Sequence, residues 1–129
     1  MTYSLHHVHL ICRDLGKMIA FFEEAIGAKL VEHRKFGTAD GARLDLQGIT
    51  VNLRVAREGE EIGENLFRSN YGFDHIGLQV EDLQAAHDNL VQRGYSFFVP
   101  PTETADNIIA FFKGPENISI ELVQPLEQK

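Results

Sequence analysis

At 129 residues, with 43% hydrophobic and 24% charged side chains, the chain has the make-up of one soluble globular domain. Its formal charge of −7 excludes nucleic acid as a natural partner, because that binding rests on Lys and Arg meeting phosphates. No apolar run approaches the roughly 18 residues of a membrane span, the N-terminus lacks a signal pattern, and the single Cys12 excludes an internal disulfide. The expected compartment is the cytoplasm.

In chain order, residues 4–12 alternate, with Val8, Leu10 and Cys12 on one side and His7, His9 and Ile11 on the other. This is the period of a half-buried strand, with Cys12 a small core residue. Asp14 is placed to cap a helix whose apolar stripe is Leu15, Met18, Ile19, Phe22 and Ile26, and Gly27 ends it. A strand over 28–36, a turn over 37–41 and strands over 42–47 and 48–56 follow. The unit is strand, helix, three strands. Residues 57–70 are charged and without period, a connector and candidate flap with room for a helical turn over 62–67.

The second half repeats the order. Residues 71–80 read as a strand, Asp82 as a cap, and Leu83, Ala86, His87, Leu90 and Val91 as a helical stripe ending at Gly94. A strand over 95–99 is expected to break at Pro100-Pro101, and strands over 107–113 and 117–124 complete the set. The residues after Pro125 are expected to fray.

The halves are copies. His7 and His75, Asp14 and Asp82, and Leu15 and Leu83 are each separated by 68 positions. The last strands also align, so Asn52 is the counterpart of Glu121. Val8/Leu10, Val51/Leu53, Ile76/Leu78 and Ile120/Leu122 share one parity. The opposite set is His7/His9, Asn52/Arg54, His75/Gln79 and Ser119/Glu121. Were the two sheets to curl toward each other, that polar set would share a concave pocket. Two imidazoles and a carboxylate there suit a divalent metal.

The ordered set His7 to Leu15, helix, Gly27, His75 to Leu83, helix, Gly94 and Ile120-Glu-Leu-Val123 resembles the vicinal oxygen chelate superfamily, over about residues 3–124. That group includes glyoxalase I, methylmalonyl-CoA epimerase, extradiol dioxygenases and the bleomycin- and fosfomycin-resistance proteins. The resemblance implies an α+β fold in which two βαβββ modules, 3–56 and 71–125, form an incomplete, U-shaped eight-stranded barrel, one domain over 1–129. It implies metal ligands at His7, Asn52, His75 and Glu121, holding one divalent ion among Zn, Ni, Co, Mn or Fe. Asn52 departs from the family's usual Glu, Gln or His; its neutral amide is a weaker donor.

The implied chemistry is that of a metal-dependent isomerase, epimerase or lyase acting on a small metabolite with neighbouring oxygens. Glu121 is the first candidate base and His9 the second, the latter about 7 Å along the strand from His7. Arg54 and Arg43 share the inward parity and suit a substrate carboxylate or phosphate, against a rival reading of both at the surface. Phe97, Phe98, Phe111 and Phe112 read as core with one or two lining the pocket; His6, His33 and His87 read as surface. The alternatives are an extradiol-type dioxygenase and a metal-free small-molecule binding or resistance protein. The expected partners are a small-molecule substrate and a second copy in a homodimer.

Overall fold

The computed structural model describes residues 1–127 and divides into two units, Met1–Glu64 and the remainder from Asn65 on. The first contains β1 (His7–Ile11), α1 (Leu15–Ala20), a π-helical continuation (Phe21–Ile26), β2 (Lys29–Phe36), β3 (Ala39–Leu46) and β4 (Ile49–Arg54). The second contains β5 (Ile76–Gln79), α2 (Leu83–Gln92), β6 (Phe97–Glu103), β7 (Asn107–Lys113) and β8 (Ser119–Pro125). The sheet orders are β1-β4-β3-β2 and β5-β8-β7-β6, with the first and last strands of each unit parallel. The α+β class and the βαβββ order are therefore as the sequence implies. No helix among the described residues is long and apolar enough to cross a membrane.

Both helices start at the repeated aspartate. Asp14 accepts the Lys17 backbone N–H and Asp82 the Ala85 N–H, each at 3.0 Å, which satisfies a donor that the first turn leaves without a partner. The shared apolar parity buries Val51 and Leu53 with Met18 and Phe22 in the first unit. In the second it buries Ile120 and Leu122 with Leu83, Leu90 and Phe112. Each fully buried side chain of this size contributes about 1.5–3 kcal/mol of transfer free energy. Cys12 is buried, as expected, its Sγ 3.6 Å from the Arg54 carbonyl oxygen.

Several local expectations are corrected. The first helix buries more than the expected stripe of Leu15, Met18, Ile19, Phe22 and Ile26, because Phe21 joins it. The buried residues are Met18, Ile19, Phe21 and Phe22, with Leu15 and Ile26 half-buried. The wider π turn brings the adjacent Phe21 and Phe22 inward together, their rings edge to face at 5.3 Å. It closes on Gly27 at φ 85°, a left-handed stop. The turn expected over 37–41 needs only Gly37 and Thr38, so β3 begins at Ala39. Gly41 lies inside that strand.

β5 is only Ile76–Gln79; residues 71–75 lie outside it, with Tyr71 and Phe73 fully exposed. β6 runs through Pro100-Pro101 instead of stopping there. It is an edge strand with register shifts on either side of Val99, where prolines without N–H groups are tolerated. Residues 61–70 hold no helical turn: with no apolar period to bury, Ile62, Leu66 and Phe67 stay exposed. Beyond Pro125, the Leu126 N–H donates to the Asp106 carbonyl at 2.9 Å, so that residue is tied; residues 128–129 lie outside the described residues.

Candidate functional site

Strand register in the first unit sets the polar residues on one face. Asn52 pairs with His9 on β1 and with Arg43 on β3, and Arg54 pairs with Ile11 and Gly41. Directly paired residues point to the same side of a sheet, so His9, Asn52, Arg43 and Arg54 share the face opposite the helix. His9 stacks edge-on against Phe36 at 4.7 Å. Burial, then the Arg54 charge and those of His7 and Arg57, lower its pKa, which favours the neutral imidazole that a base requires. His7 is exposed, its Nδ1 2.9 Å from the Nδ1 of His6, so one of those nitrogens carries the shared proton. His6 and His33 are exposed as expected.

Asn52 is buried, and its Oδ1 is a buried side-chain oxygen with no hydrogen-bond partner among the described residues. Such an acceptor is costly unless something electropositive reaches it. This bears on whether the donors suit a metal. An amide oxygen here, with the imidazole of His7, is compatible chemistry for a hard or borderline divalent cation.

Arg54 corrects the reading of a rim residue. Its side chain is 9% exposed, and its guanidinium grips Glu60 with both terminal nitrogens, at 2.7 and 2.9 Å. The Arg57 N–H donates to the same carboxylate at 3.0 Å. These donors lower the Glu60 pKa to about 2, the hydrogen bonds from Arg54 foremost. Arg43 is 39% exposed and lies 3.4 Å from Glu32, as a rim residue does.

In the second unit the duplicated position gives a direct pair. His75 Nε2 is 3.1 Å from Glu121 Oε1, and His75 Nδ1 is 2.8 Å from Asp74 Oδ2. The hydrogen bond to Asp74, opposed by burial and assisted by Glu121, raises the His75 pKa. A carboxylate on Nδ1 fixes the ring so that Nε2 faces Glu121, an arrangement that also orients metal-ligating histidines. The two carboxylates take opposite ring nitrogens. No three His, Cys, Asp or Glu side chains group as a metal cluster among the described residues. Gly77 is the repeat counterpart of His9 and pairs with Glu121, leaving the space beside that carboxylate open.

Asp74 and Glu60 escaped the sequence reading. Asp74 had a weak signal, an acidic side chain directly before the repeated histidine; the structure shows the residue at that position touching the histidine Nδ1 in both units. Glu60 had none, being one acidic residue among several in an aperiodic segment. Of the phenylalanines, Phe112 is core, Phe97 and Phe111 are half-buried and Phe98 is 46% exposed. Phe111 meets the His75 ring edge-on at 5.0 Å. His87, expected at the surface, is half-buried against Phe97 at 4.4 Å.

The Glyoxalase/Bleomycin resistance protein/Dioxygenase superfamily model matches residues 4–122. A lactoylglutathione lyase of Schizosaccharomyces pombe is 27% identical over 149 residues, covering 99% of this chain and 49% of its own length. The chain thus spans about half of that relative. A glyoxylase/bleomycin resistance protein/dioxygenase domain from Frankia sp. EAN1pec superposes with a TM-score of 0.83 at 24% identity, covering 100% of this chain and 96% of that one. A mutant of the fosfomycin resistance protein FosX from Listeria monocytogenes, complexed with Mn(II) and 1S,2S-dihydroxypropylphosphonic acid, gives 0.73 at 20% identity, covering 95% and 90%. At these identities the two structures share the fold. With the duplicated strand-helix-strand pattern and a family model spanning nearly its whole length, the chain belongs to the Glyoxalase/Bleomycin resistance protein/Dioxygenase superfamily.

Proposed function

We propose that the chain is a metal-dependent lyase or isomerase acting on a small metabolite with neighbouring oxygens. The observation that carries this is the His75–Glu121 pair at 3.1 Å, with His75 directly before β5, Glu121 on β8 and Asp74 holding the other ring nitrogen. His75 and Glu121 are the proposed donors of the second unit, and His7 and Asn52 hold the matching positions in the repeat of the first. A bound divalent ion, of the Zn, Ni, Co, Mn or Fe group, would supply Lewis-acid stabilisation of charge developing on a substrate oxygen. Glu121 is then the group to accept a proton from the carbon beside the substrate carbonyl, with neutral His9 as the alternative base. Arg54 and Arg43 receive an anionic substituent. A homodimer is part of the proposal, since β2 and β6 are exposed sheet edges.

The test is elemental analysis of untagged protein with a metal titration, beside an assay for lactoylglutathione turnover. One equivalent of ion is expected. His75→Ala and Glu121→Ala should each weaken its binding at least about tenfold, the scale on which even outer-shell partners act. Protein that takes up no stoichiometric ion from that group would overturn the reading.

A metal-free binding role is the second reading. It is favoured by Phe67, Phe98 and Phe111, whose rings follow one another at 4.8 and 5.7 Å, an aromatic surface suited to a flat ligand. Binding of such a ligand unaffected by chelator would support it. Oxygen consumption with a catechol would instead identify an extradiol-type dioxygenase.

A further inference from the structure

Arg54 sits on a strand, on the same sheet face as Asn52, yet is 7% exposed as a whole residue. Its Nη1 donates to the Val55 carbonyl at 3.1 Å, and both terminal nitrogens meet a carboxylate from its own chain. Glu60 places Oε1 at 2.7 Å from Nη1 and Oε2 at 2.9 Å from Nη2, the parallel fork by which guanidinium recognises a carboxylate. Oε1 also accepts the Arg57 backbone N–H at 3.0 Å, and the Arg57 guanidinium lies 3.7 Å from Oε2. Donors from two residues thus surround one carboxylate.

The two halves of the pair differ in how they are held. Arg54 is in β4, hydrogen-bonded between β1 and β3. Glu60 is on the irregular stretch 55–64, its own N–H bonded to the Arg57 carbonyl at 3.0 Å. Removing Glu60 from Arg54 therefore disturbs no strand pairing.

We propose that Arg54, with the Arg57 amide, is a receptor for a carboxylate group on the ligand, and that Glu60 is its displaceable internal occupant. The inference rests on the assignment of Arg54 to substrate binding and is independent of the metal. The tethered Glu60 competes at an effective concentration on the order of millimolar, so a simple acid binds weakly until that competitor is removed. Its low pKa keeps Glu60 ionised, and competing, throughout the neutral range.

The probe is propionate, titrated by NMR into the full chain, as purified and again after chelator treatment and dialysis. Glu60→Gln, its fold verified by circular dichroism, should bind propionate about tenfold tighter than wild type. Adding Arg54→Lys to that variant should abolish the gain. Should Glu60→Gln not fold, wild-type protein decides: propionate must produce a saturable shift of the Arg54 side-chain N–H together with the Glu60 backbone amide. Unchanged affinity in folded Glu60→Gln, or the lack of that paired shift where the variant does not fold, overturns the receptor. A chain that takes propionate but no metal keeps the receptor and loses the proposed function; the reverse result loses only the receptor.

Discussion

Gly41 is where the first sheet leaves least room for a side chain. A Cβ there would lie 2.4 Å from the Leu53 carbonyl oxygen and 2.5 Å from Phe36 Cδ2. The phenyl ring can swing aside, but the carbonyl belongs to the β3–β4 ladder. Gly41→Ala is therefore expected to cost about 1–3 kcal/mol, read from urea denaturation; a loss under about 0.5 kcal/mol would contradict the geometry. Because Phe36 also packs on His9, the His9 ring resonances should shift in the same variant. At Asp74 the expectation concerns orientation. Asp74→Ala frees His75 Nδ1 and should weaken the proposed metal binding about 10- to 100-fold, while Asp74→Asn, which keeps one acceptor, should recover part of it. Equal binding by all three proteins in a chelator-competition titration would remove Asp74 from the site.

Elements carry the repeat more faithfully than sites do. Asp14 and Asp82 cap corresponding helices with the same bond at 3.0 Å, although one helix continues as a π turn and the other does not. Asp14→Ala and Asp82→Ala should each cost about 1 kcal/mol in chemical denaturation, since each leaves one helix N–H without its acceptor. The segment after β4 has its own signature in acid. The pKa of Glu60 falls from the usual 4.5 to about 2 on folding, so its stabilising effect is complete above about pH 4.5 and disappears as pH falls toward 2. Wild-type protein should lose stability across that window more steeply than Glu60→Gln, as unfolding curves at about pH 5 and pH 3 would show. Parallel slopes would mean that the Arg54–Glu60 contact does not persist in solution.

For the whole molecule, the proposed metal makes stability depend on ligand. An ion at 100 times its dissociation constant should add about 2.7 kcal/mol to the unfolding free energy, and chelator should remove it. A wild-type melting curve indifferent to every ion of the group would speak against the donor set. Much of this molecule was legible in one dimension. The recurrence of histidine, aspartate cap and apolar parity determined the βαβββ order, both helix starts and the buried face of each sheet, because periods of 2 and 3.6 are local properties of the chain. Tertiary structure alone decided that Arg54 meets Glu60, that Gly41 serves close packing and not a turn, and that β6 passes through two prolines. Those outcomes depend on what chain reversal brings alongside: a carboxylate six residues on, a carbonyl from the next strand, an open sheet edge that asks no N–H of Pro100. No local pattern encodes such neighbours.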